Sequence, residues 1–170
     1  MTILITYASK HGSTREIAER IAKTLLELGK QVETRSMDTV WDPEKYEALI
    51  IGSAIYYGSW LKVATEWVHR HQTILTTRPV WLFSSGPLGT EVKDDEPQPK
   101  EIAEFQKALK PRDQRIFFGA LDHSRLSFAE RIMLKAVRAP EGDFRDWAAI
   151  DAWVASIARD LTVSSKESLV

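Results

Sequence analysis

Short apolar runs alternate with longer amphipathic segments along this chain. The short runs, rich in β-branched residues, predict strands at 2–8, 31–36, 48–54, 79–84 and 115–121. Because these runs are apolar almost throughout, they are typical of strands covered on both faces, as in parallel sheets with βαβ crossovers. The alternation therefore predicts a doubly wound α/β domain.

The longer segments have the periodicity of amphipathic helices. From Ile17 to Leu28, apolar residues recur at three- and four-residue spacing, so one face packs on the sheet, and Gly29 ends the helix. Further helices are predicted at 61–75, 100–109, 125–139 and from Asp146 onwards.

Length and composition narrow the class of protein. The 170 residues, 44% of them hydrophobic, suffice for one core, and we expect one domain at 1–162 with a frayed tail at 163–170. A net charge of −1 gives no general reason to expect nucleic-acid binding. The absence of cysteine excludes disulfides, thiolate metal sites and cysteine nucleophiles. With no signal-peptide pattern and no run of 18 apolar residues, we expect a cytoplasmic protein without a membrane span.

The sequence SKHGST joins the first predicted strand to the first predicted helix. In open α/β sheets, ligands bind outside the carboxyl ends of the strands, where this turn lies. Free amides at the start of a helix suit a phosphate. The hydroxyls of Ser9, Ser13 and Thr14 add donors, Gly12 allows close approach, and Lys10 adds a positive charge. The turn has the composition of a phosphate cradle.

A plain helix cap is an alternative explanation of the same residues. Ser13 and Glu16 match the S-x-x-E capping box, and the hexapeptide alone does not separate a cap from a phosphate site. The usual dinucleotide and nucleoside-triphosphate loops, G-x-G-x-x-G and G-x-x-x-x-G-K-[ST], are missing. The third and fourth predicted strands end in GSAIYYGSW (52–60) and SSGPLGTE (84–91). An aromatic loop and a glycine-rich turn thus meet the cradle at one end of the sheet.

These loops resemble those of the flavodoxin-like proteins, and the similarity is greatest to the menaquinone-dependent protoporphyrinogen dehydrogenases. Segments 3–29, 48–60, 119–135 and 146–158 each have a counterpart in order, whereas 84–105 does not look like the fourth loop of that subgroup. The resemblance implies a five-stranded parallel sheet of order 2-1-3-4-5, with helices on both faces and FMN as cofactor.

The resemblance also implies roles for individual residues. Those that bind the FMN phosphate are Ser9, Lys10, His11, Gly12, Ser13 and Thr14. Those that flank the ring and ribityl chain are Ala54, Ile55, Tyr56, Tyr57 and Gly58. Those at the other edge of the ring are Ser85, Gly86, Pro87, Leu88 and Gly89. Either tyrosine can stack on the flavin, with Tyr57 preferred because it precedes Gly58; alternatively, one of them is half-buried surface.

The implied function is an oxidoreductase of porphyrin biosynthesis, in which FMN takes electrons from a substrate such as protoporphyrinogen and passes them to a quinone. No catalytic side chain is implied, because the chemistry belongs to the flavin, and no metal site is expected. Two alternatives stay open. The first is a flavodoxin-type electron-transfer carrier, and the near-neutral charge of the chain argues mildly against it. The second is a flavodoxin-like binding module without FMN.

The predicted helix within 125–138 combines basic and apolar residues. Arg131, Lys135 and Arg138 share one face, and Phe128 and Ile132 belong to the apolar remainder. Such a helix can lie on an anionic membrane surface, where a lipid quinone is met, so the inner face of the membrane is a candidate location. The favoured alternative is a helix whose apolar residues cover the edge of the sheet. The sequence leaves the oligomeric state open.

Overall fold

The chain folds around a parallel sheet, as the computed structural model of residues 1–86, 98–136 and 141–167 shows. The parallel strands are β1 (Thr2–Ala8), β2 (Gln31–Ser36), β3 (Ala48–Tyr56), β5 (Val80–Ser85) and β6 (Asp113–Phe117). Their order is β2-β1-β3-β5-β6, which confirms the expected order 2-1-3-4-5 of the five parallel strands. A short strand, β4 (Ser59–Trp60), pairs antiparallel with the end of β3.

Helices lie on both faces of this sheet. They are α1 (Ser13–Glu27), α2 (Lys62–Leu75), α3 (Lys100–Leu109), α4 (Phe128–Ala136) and α5 (Trp147–Glu167). Short 3₁₀ turns occur at Met37–Thr39, Pro43–Lys45 and His123–Arg125. Among the described residues, no helix combines the length and the apolar character that crossing a membrane requires.

Each face of the sheet carries its own hydrophobic cluster, because alternate residues of a strand point to opposite sides. On one face, Ile3, Ile50 and Phe83 pack against α1 and α5. On the other, Leu4 and Leu82 pack with side chains of α2 and α3. The double covering explains why the central strands read as continuous apolar runs.

The fifth predicted strand is wrong in its second half. Strand β6 stops at Phe117, and Ala120–Leu121 forms a separate strand, β7, which pairs antiparallel with β8 (Gly142–Asp143). Two hydrogen bonds hold the break: the Phe144 N–H donates to the Gly119 carbonyl, and the Ala120 N–H donates to Ser13 Oγ. The chain therefore leaves the sheet beside the start of α1.

The C-terminal helix is longer than the sequence indicated. Helix α5 continues to Glu167, so residues 163–167 are helical where a frayed tail was expected. Residues 168–170 lie outside the described residues. The domain boundary at residue 162 stays a prediction.

Candidate functional site

A cavity of about 290 Å³ opens at the carboxyl ends of β1, β3 and β5. It brings together most of the predicted site residues: Ser9, Lys10, His11, Ser13, Thr14, Ala54, Ile55, Tyr56, Tyr57, Ser85 and Gly86. Gly12 and Gly58 do not line it, and Pro87, Leu88 and Gly89 lie outside the described residues. Three loops that are distant in sequence thus form one site, in the position where doubly wound folds bind ligands.

The turn before α1 is built around Gly12. Its φ of 95° is left-handed, and its N–H donates to Ser9 Oγ over 3.0 Å. A β-carbon at this position would stand 2.8 Å from Nη1 of Arg125. The turn therefore favours glycine for its backbone angle, and a side chain at this position would also displace the Arg125 guanidinium.

The capping box considered for α1 does not form. The helix begins without a side-chain cap, because Ser13 Oγ accepts the Ala120 N–H at 3.0 Å. Glu16 binds Arg125 Nη1 at 2.9 Å and also pairs with Arg145. The cap explanation of SKHGST is therefore wrong, and the first-turn amides are left to a ligand or to water.

His11 contributes a buried nitrogen to the cavity wall. Its Nε2 has no hydrogen-bond partner among the described residues and lies 3.3 Å from Glu130 Oε1 without hydrogen-bond geometry. Buried polar atoms in proteins are nearly always paired. An unpaired nitrogen on the wall of a cavity is well suited to a polar group of a ligand.

The positive charge predicted at Lys10 is not free. Its ammonium group forms an ion pair with Glu130, whose other carboxylate oxygen accepts hydrogen bonds from the N–H and hydroxyl of Ser127. Ser127 and Glu130 form the capping box of α4, so of the two S-x-x-E matches it is this one that makes the hydrogen bonds of the box. The hydrogen bond from Lys10, followed by those from Ser127, lowers the pKa of Glu130 to about 2.

The aromatic loop is a tight hairpin turn. Ile55 pairs with Trp60 and Tyr56 with Ser59, leaving Tyr57 and Gly58 at the tip with φ values of 50° and 72°. Positive φ at both positions is typical of a type I′ turn, which is uncommon for tyrosine. The turn fixes the orientation of the tyrosine pair at the mouth of the cavity.

The two tyrosines occupy different environments. Tyr57 is 81% exposed, and its hydroxyl donates to Met133 Sδ on α4. Tyr56 is half-buried, with the Lys10 ammonium 5.0 Å from the centre of its ring. Burial, reinforced by the charge of Glu130, raises the pKa of the Tyr56 hydroxyl to about 12, so it is neutral over the physiological range. Which ring stacks on a flavin stays a prediction.

Helix α4 and the segment before it form a wall that the sequence did not predict. The unpredicted cavity residues are Gly119, Ala120, Leu121, Leu126, Glu130 and Met133. The capping box at Ser127 indicates the start of a helix, but nothing local in the sequence indicates that the helix lies against the cavity.

The outer face of α4 is exposed and apolar. Phe128 is 80% and Ile132 55% exposed, and the basic residues Arg131 and Lys135 are exposed beside them. The favoured expectation, that these apolar side chains cover the edge of the sheet, is therefore wrong for Phe128 and Ile132. Arg138 lies outside the described residues.

The donor set suits an organic ligand with an anionic end. Hydroxyls and an unpaired histidine nitrogen from the loop before α1 line the cavity together with aromatic and apolar side chains, beside a helix start that has no side-chain cap. Over the part of the chain that the structure describes, no group of three His, Asp or Glu residues could hold a metal ion. FMN, with its phosphate and its planar ring, fits this combination of polar and aromatic groups.

Comparisons with known proteins agree with the geometry. A model of the family described as "Flavodoxin domain" matches residues 4–147. The protein named protoporphyrinogen IX dehydrogenase [quinone] from Escherichia coli K12 is 29% identical over 95% of this chain and 94% of its own length.

Solved structures also show the fold. A flavodoxin from Pseudomonas aeruginosa superimposes with a TM-score of 0.61 at 13% identity, over 95% of this chain and 99% of that one. The rubredoxin oxygen:oxidoreductase of Desulfovibrio gigas gives a TM-score of 0.65 at 14% identity, over 95% of this chain and 36% of the larger protein.

Proposed function

Since the chain belongs to the flavodoxin family, we propose that it is an FMN-dependent oxidoreductase that takes electrons from protoporphyrinogen and passes them to a quinone. The observation that carries this proposal is a cavity at the switch point of the sheet in which the predicted phosphate loop and aromatic turn converge. The similarity to the E. coli dehydrogenase, which extends over nearly the whole of both chains, supports the substrate class.

The phosphate of FMN is held, in this proposal, by the loop from Ser9 to Thr14. The helix-start amides and the hydroxyls of Ser9 and Thr14 donate to it, and the unpaired Nε2 of His11 supplies a further contact. Gly12 shapes the loop from outside the cavity, through its left-handed backbone. FMN, when bound, supplies the redox chemistry.

The ring end of the site is formed by the turn at Tyr57 and Gly58 and by the end of β5. Tyr57 is the proposed stacking partner, because a strained, exposed aromatic side chain at the cavity mouth offers its whole face. Ser85 and Gly86, with the proposed contribution of Pro87, Leu88 and Gly89, border the other edge of the ring. The buried Leu126 and the partly exposed Met133 line the same cavity.

An electron carrier is the second candidate. Carriers of this fold are typically acidic, which steers basic partners to them, and a net charge of −1 provides little steering. A binding module without FMN is distinguished by its failure to take up the flavin.

The location proposed is the cytoplasm, with peripheral contact at the inner face of the membrane. The exposed side chains of Phe128 and Ile132 can enter the interface between lipid head groups and chains, while Arg131 and Lys135 meet anionic head groups. Because Met133 reaches from the same helix into the cavity wall, this contact brings the site close to a lipid quinone.

Anaerobic turnover tests the proposed activity. FMN-loaded protein is mixed with protoporphyrinogen and a menaquinone analogue, and porphyrin fluorescence is followed against free FMN as the control. We expect quinone-dependent porphyrin formation well above that control. Bound flavin without such turnover would contradict the substrate assignment and favour the carrier.

A further inference from the structure

Glu130 places a negative charge beside the loop proposed to bind the FMN phosphate, which is itself negatively charged. Among the described residues that line the cavity it is the one acidic side chain, and it touches the loop proposed for phosphate. It pairs with Lys10 and lies 3.3 Å from the Nε2 of His11, so both nitrogen-bearing side chains of the loop face the same carboxylate.

The carboxylate is also held in place. The Ser127 N–H donates to it at 2.9 Å and the Ser127 hydroxyl at 2.8 Å, and the Glu130 side chain is only 19% exposed. Its pKa, lowered to about 2, keeps it charged over the physiological range of pH. The charge is thus a fixed feature of the site and not a chance surface contact.

We propose that Glu130 is a charge-selecting residue of the flavin site. Its carboxylate competes with the cofactor phosphate for Lys10 and so limits the preference for FMN over riboflavin. Riboflavin has the same ring and ribityl chain but no phosphate. A fixed carboxylate therefore weakens FMN binding by repulsion and by occupying Lys10, while it leaves riboflavin binding unaffected. The inference rests on the proposed function, since it requires a flavin in this cavity.

Replacing Glu130 by glutamine separates charge from structure. Glutamine retains an oxygen for Ser127 and is an accepted partner in a capping box, so α4 keeps its start. The charge is lost, and Lys10 is released. A merely structural role of Glu130 predicts equal changes for both flavins, whereas charge selection predicts a change for FMN alone.

Flavin fluorescence titrations at low ionic strength measure this selection. Dissociation constants for FMN and riboflavin are obtained with the wild type, Glu130→Gln and Lys10→Met. Glu104→Gln, which removes a carboxylate paired with His69 at 2.8 Å outside the cavity, serves as the matched control.

We expect the FMN-over-riboflavin preference to rise about tenfold in Glu130→Gln, to fall in Lys10→Met and to stay unchanged in Glu104→Gln. The rise should shrink at high salt, because ions screen a charge effect. Equal shifts for both flavins, or a lowered preference in Glu130→Gln, would overturn the inference. A wild type that binds neither flavin would instead contradict the proposed function.

Discussion

The guanidinium of Arg125 lies against the backbone of Gly12, with Nη1 2.9 Å from Glu16 Oε1 and 3.3 Å from the carbonyl oxygen of His11. This contact ties the segment before α4 to the turn that starts α1. A β-carbon at Gly12 would be 2.8 Å from Nη1, so a side chain there would have to displace the Arg125 guanidinium. The loop proposed to bind phosphate and the α4 wall are therefore shaped by one set of interactions.

Gly12→Ala tests this dependence. Alanine at a φ of 95° costs about 1–2 kcal/mol of backbone strain and displaces Arg125, so we expect FMN affinity to fall about tenfold or more. The matched control is Gly29→Ala, since Gly29 has a φ of 74° and a β-carbon added there would meet nothing within 4 Å. Equilibrium unfolding should show a similar loss in both variants, and flavin titration a loss only at Gly12. Equal FMN affinity in the two would contradict the assignment of the loop.

Tyr57→Leu tests the stacking assignment. Loss of an aromatic face weakens a stacked pair by about 0.5–1.5 kcal/mol, so FMN affinity should fall roughly two- to twelvefold. Flavin fluorescence in the complex should rise, because quenching by the ring is lost. Trp41→Leu is the control, as Trp41 is an exposed aromatic residue (70%) away from the cavity. Unchanged affinity in Tyr57→Leu, with a loss in Tyr56→Leu, would transfer the role to Tyr56.

Arg145 is the centre of an ion-pair network that holds β8 to α1. Its guanidinium donates two hydrogen bonds to Asp143, at 2.8 and 2.6 Å, pairs with Glu16 and lies 4.6 Å from the ring centre of Trp147. Its side chain is 8% exposed. We expect Arg145→Met to lower the free energy of unfolding by about 2 kcal/mol in urea titrations. Arg115→Met, which removes an exposed pair with Asp113, should cost less than about 1 kcal/mol; equal losses would contradict the importance of the network.

The same network gives stability a dependence on acid pH. The hydrogen bond from Arg145 lowers the pKa of Asp143 below 3.8. For Glu16, burial alone would raise the pKa, but hydrogen bonds from Arg145 and Arg125 outweigh it and keep the pKa below 4.5. A lowered folded-state pKa stabilises the protein above the unfolded value and loses that contribution as the pH falls through the folded value. The difference in free energy of unfolding between wild type and Arg145→Met should therefore narrow as the pH falls below these pKa values. A difference that stays constant with pH would contradict this prediction.

Vesicle sedimentation tests the membrane contact proposed for α4. Wild-type protein should bind vesicles that contain anionic lipid, and Phe128→Ser combined with Ile132→Ser should lose most of that binding, because two exposed apolar side chains are removed. Leu26→Ser provides the control, as Leu26 is a 57% exposed residue on α1. If the double variant retained binding, or the control lost it equally, α4 would be excluded as the contact surface.

Much of the fold followed from the sequence because the covered sheet imposes its own pattern. Residues such as Ile50 and Phe83 are apolar since each side of the strand meets a helix layer, so the parallel strands and helices were predicted nearly in place. The break after Phe117 was missed because the segment remains apolar on both sides of it. Its cause is tertiary: hydrogen bonds from Ala120 to Ser13 and from Phe144 to Gly119 draw the chain out of the sheet.

The sequence predicted the parts of the site that lie in loops directly after strands, and it missed the part that α4 contributes. Ser9 and Tyr56 are placed by the strands that precede them, so their meeting follows from sheet order. Glu130 and Met133 reach the cavity only because α4 lies across it, and no local periodicity carries that information. The charge of Lys10 was predicted, but its neutralisation by Glu130 was not, since the two residues are distant in sequence.

Uptake of FMN by the purified chain is the most direct test of the central claim, that the cavity between the Ser9–Thr14 loop, the Tyr57 turn and α4 is a flavin site. Apo-protein is titrated with FMN while flavin fluorescence and the visible spectrum are recorded, in parallel with Gly12→Ala. We predict saturable quenching with one FMN per chain in the wild type and much weaker binding in the variant. Absence of FMN uptake by folded wild-type protein would contradict the account and leave a flavodoxin-like binding module.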